Sequence, residues 1–92
     1  MTENQIQELR NIIEKMEEKH IHYILVKTVN LPEKPKIIFY GKSKLGIQGY
    51  LEINNKTYYF EIRLNKLQNE REYTVSVKIG KMVIVKKLEK VI

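Results

Sequence analysis

"LEINNKTYYFEIRL", residues 51–64, decides how the second half of this chain folds. Leu51 and Ile53 alternate with polar neighbours before the asparagines. Tyr58, Phe60, Ile62 and Leu64 do the same after them. A period of two belongs to a strand with one buried face. A two-residue turn at Asn55-Lys56 sets Ile53 opposite Tyr58 and Leu51 opposite Phe60. Opposed residues share a face, so the apolar set stays together.

The same logic extends toward the C-terminus. Tyr73, Val75, Val77 and Ile79 alternate, as do Met82 and Ile84, around Gly80-Lys81. Glycine at the first central position suits a type II′ turn, which pairs Ile79 with Met82 and Val77 with Ile84. "NKLQNERE" (65–72) reads as a polar hairpin loop. "KKLEKVI" (86–92) reads as the continuation of the last strand or a basic tail.

Toward the N-terminus the period changes. Ile6, Leu9, Ile13 and Met16 recur at three- and four-residue steps between charged residues, which predicts an amphipathic helix over about residues 3–19. Thr2 and Gln5 fit a capping box, and His20 falls near the predicted C-terminal end. "IHYILVKTV" (21–29) and "KIIFYG" (36–41) are β-branched and aromatic runs around the loop "NLPEKP" (30–35). Both read as strands covered on two faces or lying at an interface. The expected fold is α+β: an N-terminal amphipathic helix packed on an antiparallel five- or six-stranded meander, residues 1–92 forming a single domain.

Composition narrows the classes. No cysteine is present, which excludes disulfides and thiolate metal sites. The N-terminal "MTENQIQELR" lacks an apolar signal-peptide core, and no apolar run has the length of a membrane span. A cytoplasmic protein with no membrane association is the expectation. Alanine and aspartate are absent and lysine is abundant, which suggests a thermophile or a virus as source. The formal net charge is +6. It is uneven: residues 1–26 hold five Glu against three Lys/Arg (−2), residues 27–92 fourteen Lys/Arg against six Glu (+8). A basic body favours polyanions.

Gly41-Lys42-Ser43, within "FYGKSKLG" (39–46), resembles the end of a phosphate-binding P-loop. The pattern needs a glycine at position 36, where Lys36 stands, and a helix afterwards, where an alternating strand is expected. What remains is a loop with glycines at 41, 46 and 49, flanked by Lys34, Lys36, Lys42 and Lys44 and able to hold a backbone phosphate.

On the predicted outward sheet face, alternation places Tyr50, Tyr59, Arg63, Lys78 and Lys87, with Glu52 and Glu61 among them. The expected register sets Tyr59 beside Glu52, Glu61 beside Tyr50, Arg63 beside Thr74 and Lys78 beside Val83. Tyrosines among cations form a stacking platform of the kind that binds single strands. The candidate nucleic-acid-binding set is therefore Lys36, Lys42, Lys44, Tyr50, Tyr59, Arg63, Lys78 and Lys87.

Met82, Val83, Ile84 and Val85 form an apolar run at an expected sheet edge, a candidate interface for a second copy or another protein. His20 and His22 share a face if their segment is a strand, yet no further ligands accompany them. Without aspartate or a nucleophile elbow, no catalytic set assembles. The expected function is a small non-enzymatic binding protein that contacts DNA or RNA. The alternative is a protein-interaction module: a homodimer, or an accessory or inhibitory factor of a larger protein. No cofactor, metal or small-molecule substrate is expected.

Overall fold

The computed structural model describes residues 3–31, 35–43, 46–66 and 73–88. Its elements run α1 (Glu3–Lys15), α2 (Glu18–Val29), β1 (Lys36–Lys42), β2 (Gly46–Ile53), β3 (Lys56–Lys66), β4 (Tyr73–Ile79) and β5 (Met82–Leu88). The strands form one antiparallel sheet in the order β1-β2-β3-β4-β5, so the chain is α+β with a five-stranded meander.

Residues 21–29 correct the sequence expectation: they form a helix, not a strand. β-branched content favoured a strand, but Ile21, Ile24, Leu25 and Thr28 are the buried positions, spaced as one helical stripe. The helix expected over 3–19 is accordingly two helices broken at Met16–Glu17. At 3.6 residues per turn, one straight helix would set this stripe about 100° from that of Leu9, Ile13 and Met16. The break lets both stripes join one core. Glu17 is extended (φ −101°, ψ 169°), and its N–H donates to His20 Nδ1 at 2.9 Å. His20 therefore sits in the first turn of a helix rather than near a helix C-terminus. α2 stops at Asn30, left-handed at φ 55°, whose N–H donates to the Val26 carbonyl at 2.9 Å.

The β2–β3 turn falls one residue earlier than expected. Asn54 and Asn55 both take positive φ (51° and 65°), the arrangement of a type I′ turn. Leu51 thus faces Tyr58, and Gly49 faces Phe60. Each partner moves by two positions, so every side chain keeps its predicted face. The β4–β5 turn is as predicted: Gly80 has φ 58°, Ile79 faces Met82 and Val77 faces Ile84. β3 runs through Lys66, past the expected loop start, and β5 through Leu88. Residues 67–72 and 89–92 of the predicted loop and tail lie outside the described residues.

β1 carries a bulge. Ile37 faces Leu51 and Phe39 faces Tyr50, so two residues advance on β1 while one advances on β2. Gly49 lies opposite Tyr40 on the inner side, and a Cβ there would strike the Phe39 carbonyl.

One buried cluster draws on Leu9, Ile13 and Met16, on Ile21, Ile24 and Leu25, and on Ile47, Leu51, Phe60, Ile62, Leu64, Val75, Val77 and Ile79. Polar contacts join the same elements. Glu8 accepts from Lys66 Nζ at 2.6 Å and from the Tyr73 hydroxyl at 2.7 Å. Lys42 Nζ, on β1, donates to the Glu14 carbonyl at 2.7 Å. Lys86 Nζ, on β5, donates to the Lys27 carbonyl at 3.2 Å. Both edge strands thus supply a lysine to the last turn of a helix, where carbonyls lack partners and the dipole is negative. No helix among the described residues is long and apolar enough to cross a membrane.

Candidate nucleic-acid interface

Pairing across the sheet fixes which side chains meet on its outer face. Phe39 faces Tyr50 and Tyr50 faces Tyr59, so three aromatic rings form a row over β1, β2 and β3. Phe39 is 62 % exposed and Tyr50 49 %. The Tyr50 and Tyr59 rings lie edge to face, centroids 5.9 Å apart. The neighbouring row reads Gln48, Glu61, Lys78 and Val83, and the next holds Arg63, Ser76 and Val85. Beyond these, Lys87 faces Thr74. On the other flank of the rings, Lys36 faces Glu52.

The register corrects three expected neighbours. Tyr59 stands beside Tyr50 instead of Glu52, Glu61 beside Gln48 instead of Tyr50, and Arg63 beside Ser76 instead of Thr74. The early asparagine turn accounts for the first two. Lys78 faces Val83 as predicted.

Electrostatics on this face are partly neutralised. Arg63 Nε hydrogen-bonds Glu61, which holds that carboxyl below its ordinary range. The single Tyr59 hydroxyl proton is shared between Glu61 Oε2 at 3.2 Å and Gln48 Oε1 at 3.3 Å. Desolvation, then the Glu61 charge, raises the Tyr59 phenol above its usual value, so it stays a neutral donor. Four outward cations (Lys36, Arg63, Lys78, Lys87) stand against two carboxylates (Glu52, Glu61), a local excess of two positive charges.

The chain is 36 % identical over 73 residues to "Uncharacterized protein 81" of Sulfolobus islandicus rod-shaped virus 1. That match covers 79 % of this chain and 84 % of the viral protein. The chain belongs to that viral protein's family. No protein-family model matches it, and no solved structure does.

The expected site residues fare differently. Tyr50, Tyr59, Arg63, Lys78, Lys87 and Lys36 share the outer face. Lys42 does not: it faces Ile47 on the inner side and its amine is bound to α1. Lys44 lies outside the described residues. Of the expected glycine loop, Gly41 belongs to β1 and Gly46 and Gly49 to β2, and the Ser43 N–H donates to the Gly46 carbonyl at 2.8 Å. A strand follows the lysines, as the exclusion of a P-loop required.

Phe39 is the residue sequence reasoning missed. Strict alternation puts it with Ile37; the bulge at Ile38 turns it to the outer face. β1 alone carries no signal for this: Ile37, Ile38, Phe39 and Tyr40 are all apolar, so alternation chooses no face for Phe39.

Among the interface candidates, Val83 and Val85 are each 59 % exposed on the outer face of the edge strand β5. Met82 is also exposed and Ile84 half-buried. His20 and His22 lie on α2, where residues two apart point about 200° away from each other, so the chelating arrangement of a strand is gone.

Proposed function

We propose that this chain is a small non-enzymatic binding protein in which the helices close one face of the sheet and the opposite face receives nucleic acid. One observation carries this: Phe39, Tyr50 and Tyr59 form a row, the first two exposed and the third half-buried, with cations on both flanks. Aromatic rings on an open sheet stack bases, and lysines beside them neutralise phosphates. Lys36, Lys78, Lys87 and Arg63 are the phosphate-binding set.

Binding of a fluorescein-labelled 12-mer, DNA or RNA, is tested by anisotropy from 25 to 250 mM salt. Three or four phosphate contacts give a log–log salt slope of about −2 to −3 on a single strand. Absence of binding at 25 mM salt for both oligomers and their duplexes removes the proposal.

A second reading rests on Val83 and Val85. An edge strand with exposed valines is a surface for another chain, either a second copy or a larger protein. Val83→Lys blocks such pairing. A light-scattering mass of one chain at millimolar concentration counts against the homodimer.

A further inference from the structure

Phe39 reaches the aromatic row only because β1 holds one residue more than its partner. Ile37 pairs with Leu51 on the inner side, Ile38 is the extra residue, and Phe39 pairs with Tyr50 on the outer side. Without the bulge, Phe39 would follow Ile37 into the inner face, since side chains two apart share a face. Both Ile38 and Phe39 are exposed, while Ile37 and Tyr40 are half-buried against the core. The inner set therefore stays in place and the aromatic ring is the gain.

Gly49 makes this geometry available. A Cβ on it would fall on the carbonyl oxygen of Phe39 and within 2.7 Å of Tyr40 Cα. Main chain, not a flexible side-chain end, occupies that space. Any side chain at 49 must push β1 away from β2 where Phe39 is presented. A glycine inside a strand often marks such a close backbone approach.

We propose that Phe39, Tyr50 and Tyr59 form a stacking site for the unpaired bases of single-stranded DNA or RNA, with Gly49 as the residue that positions Phe39. The proposal rests on the nucleic-acid reading above and narrows it to single strands. Three rings on consecutive strands span two inter-strand spacings, about 10 Å. A duplex offers no base faces to such a row; an unpaired strand does. Cations lie on both flanks: Lys36 on one side, Arg63 and Lys78 on the other. A strand can thus lay bases on the rings with phosphates at either border. The polar side chains beside the rings are largely engaged with one another: Gln48 and Glu61 bond the Tyr59 hydroxyl, and Arg63 bonds Glu61. Stacking is sequence-tolerant, so discrimination among sequences is weak.

The test compares a labelled single-stranded 12-mer, as DNA and as RNA, with its duplex at 50 mM salt. Affinity is read by anisotropy and stacking by quenching of tyrosine fluorescence, which no tryptophan obscures. The expected result is tighter binding of the single strand, with quenching. Phe39→Ala weakens single-strand binding about 5- to 150-fold, leaves duplex binding unchanged, and keeps the salt slope, because no phosphate contact is lost. Gly49→Ala weakens it similarly in wild type but adds nothing in the Phe39→Ala background. If Gly49→Ala fails to fold by circular dichroism, Tyr50→Ala takes its place and must weaken single-strand binding too. Equal affinity for single strand and duplex, or wild-type binding by Phe39→Ala, overturns the stacking site while nucleic-acid binding survives. Loss of all binding at 25 mM salt overturns the parent proposal instead.

Discussion

Lys42 Nζ donates to the Glu14 main-chain carbonyl at 2.7 Å, so an edge strand of the sheet closes the end of the first helix. The contact spans 28 positions of sequence and takes this lysine out of the candidate ligand surface. Lys86 does the equivalent for α2 at the opposite edge, and Lys66 pairs with Glu8 between them. Part of the basic excess therefore serves the fold rather than a polyanion.

Lys42→Ala is expected to lower stability by about 0.5–1 kcal/mol, the net worth of one hydrogen bond at a helix end. It leaves the salt slope of oligonucleotide binding unchanged. Lys78→Ala does the reverse: stability stays within about 0.5 kcal/mol, and the slope flattens by about 0.7. Urea denaturation and salt titration of the two variants measure both quantities, and interchanged results would contradict the assignment.

The contacts at Glu8 give stability a pH dependence at both ends. Lys66, then Tyr73, lowers the Glu8 carboxyl pKa from 4.5. A lowered folded pKa contributes stability above 4.5 that is lost as pH falls through the folded value. Burial, then Glu8, pushes Tyr73 up from 10.0 to about 12. That contribution is fully present below pH 10 and is lost as pH rises toward about 12. Tyr73→Phe removes this residue's share of the alkaline limb and leaves no group there to ionise. Thermal melts from pH 8 to 12 check it: an alkaline limb identical to wild type sinks the linkage.

The Asn54-Asn55 turn offers a local test. Both residues hold left-handed φ, which asparagine tolerates and glycine adopts freely. Asn55→Gly is expected to stabilise by about 0.5 kcal/mol, as Asn-Gly is the favoured type I′ pair. Asn55→Val is expected to destabilise by more than about 1 kcal/mol. Midpoints of urea unfolding report both signs.

Thr28 is 1 % exposed on α2, and its hydroxyl has no hydrogen-bond partner among the described residues. An unsatisfied buried hydroxyl costs about 1–3 kcal/mol. Thr28→Val keeps the shape and removes the hydroxyl, so it raises the melting temperature. Thr28→Ser keeps the hydroxyl and opens a cavity, so it lowers it. A fall in both variants would mean the hydroxyl is satisfied after all.

Sequence patterning recovered the sheet well where one side was apolar and the other polar. Tyr58 to Leu64 and Tyr73 to Ile79 gave strand and face through period two, and the Gly80 turn gave register as well; between β2 and β3 and between β3 and β4 the face was right and the register was not. It failed at residues 21–29. Ile21, Ile24, Leu25 and Thr28 formed a helical stripe, but Ile, Tyr and Val around them raised strand propensity, and burial decided the matter. It also failed at Phe39, since a bulge is a property of two strands and "KIIFY" shows only one.

By itself, then, the chain determined its class, its inner and outer faces over β2 to β5, and the exclusion of a P-loop. These depend on neighbours in sequence, where period and turn residues act directly. Tertiary structure alone decided that 21–29 folds as a second helix, that Lys42 binds a helix end, and that Phe39 joins Tyr50 and Tyr59. Each depends on a partner remote in the chain: the core that receives the stripe, the Glu14 carbonyl, and the space left by Gly49.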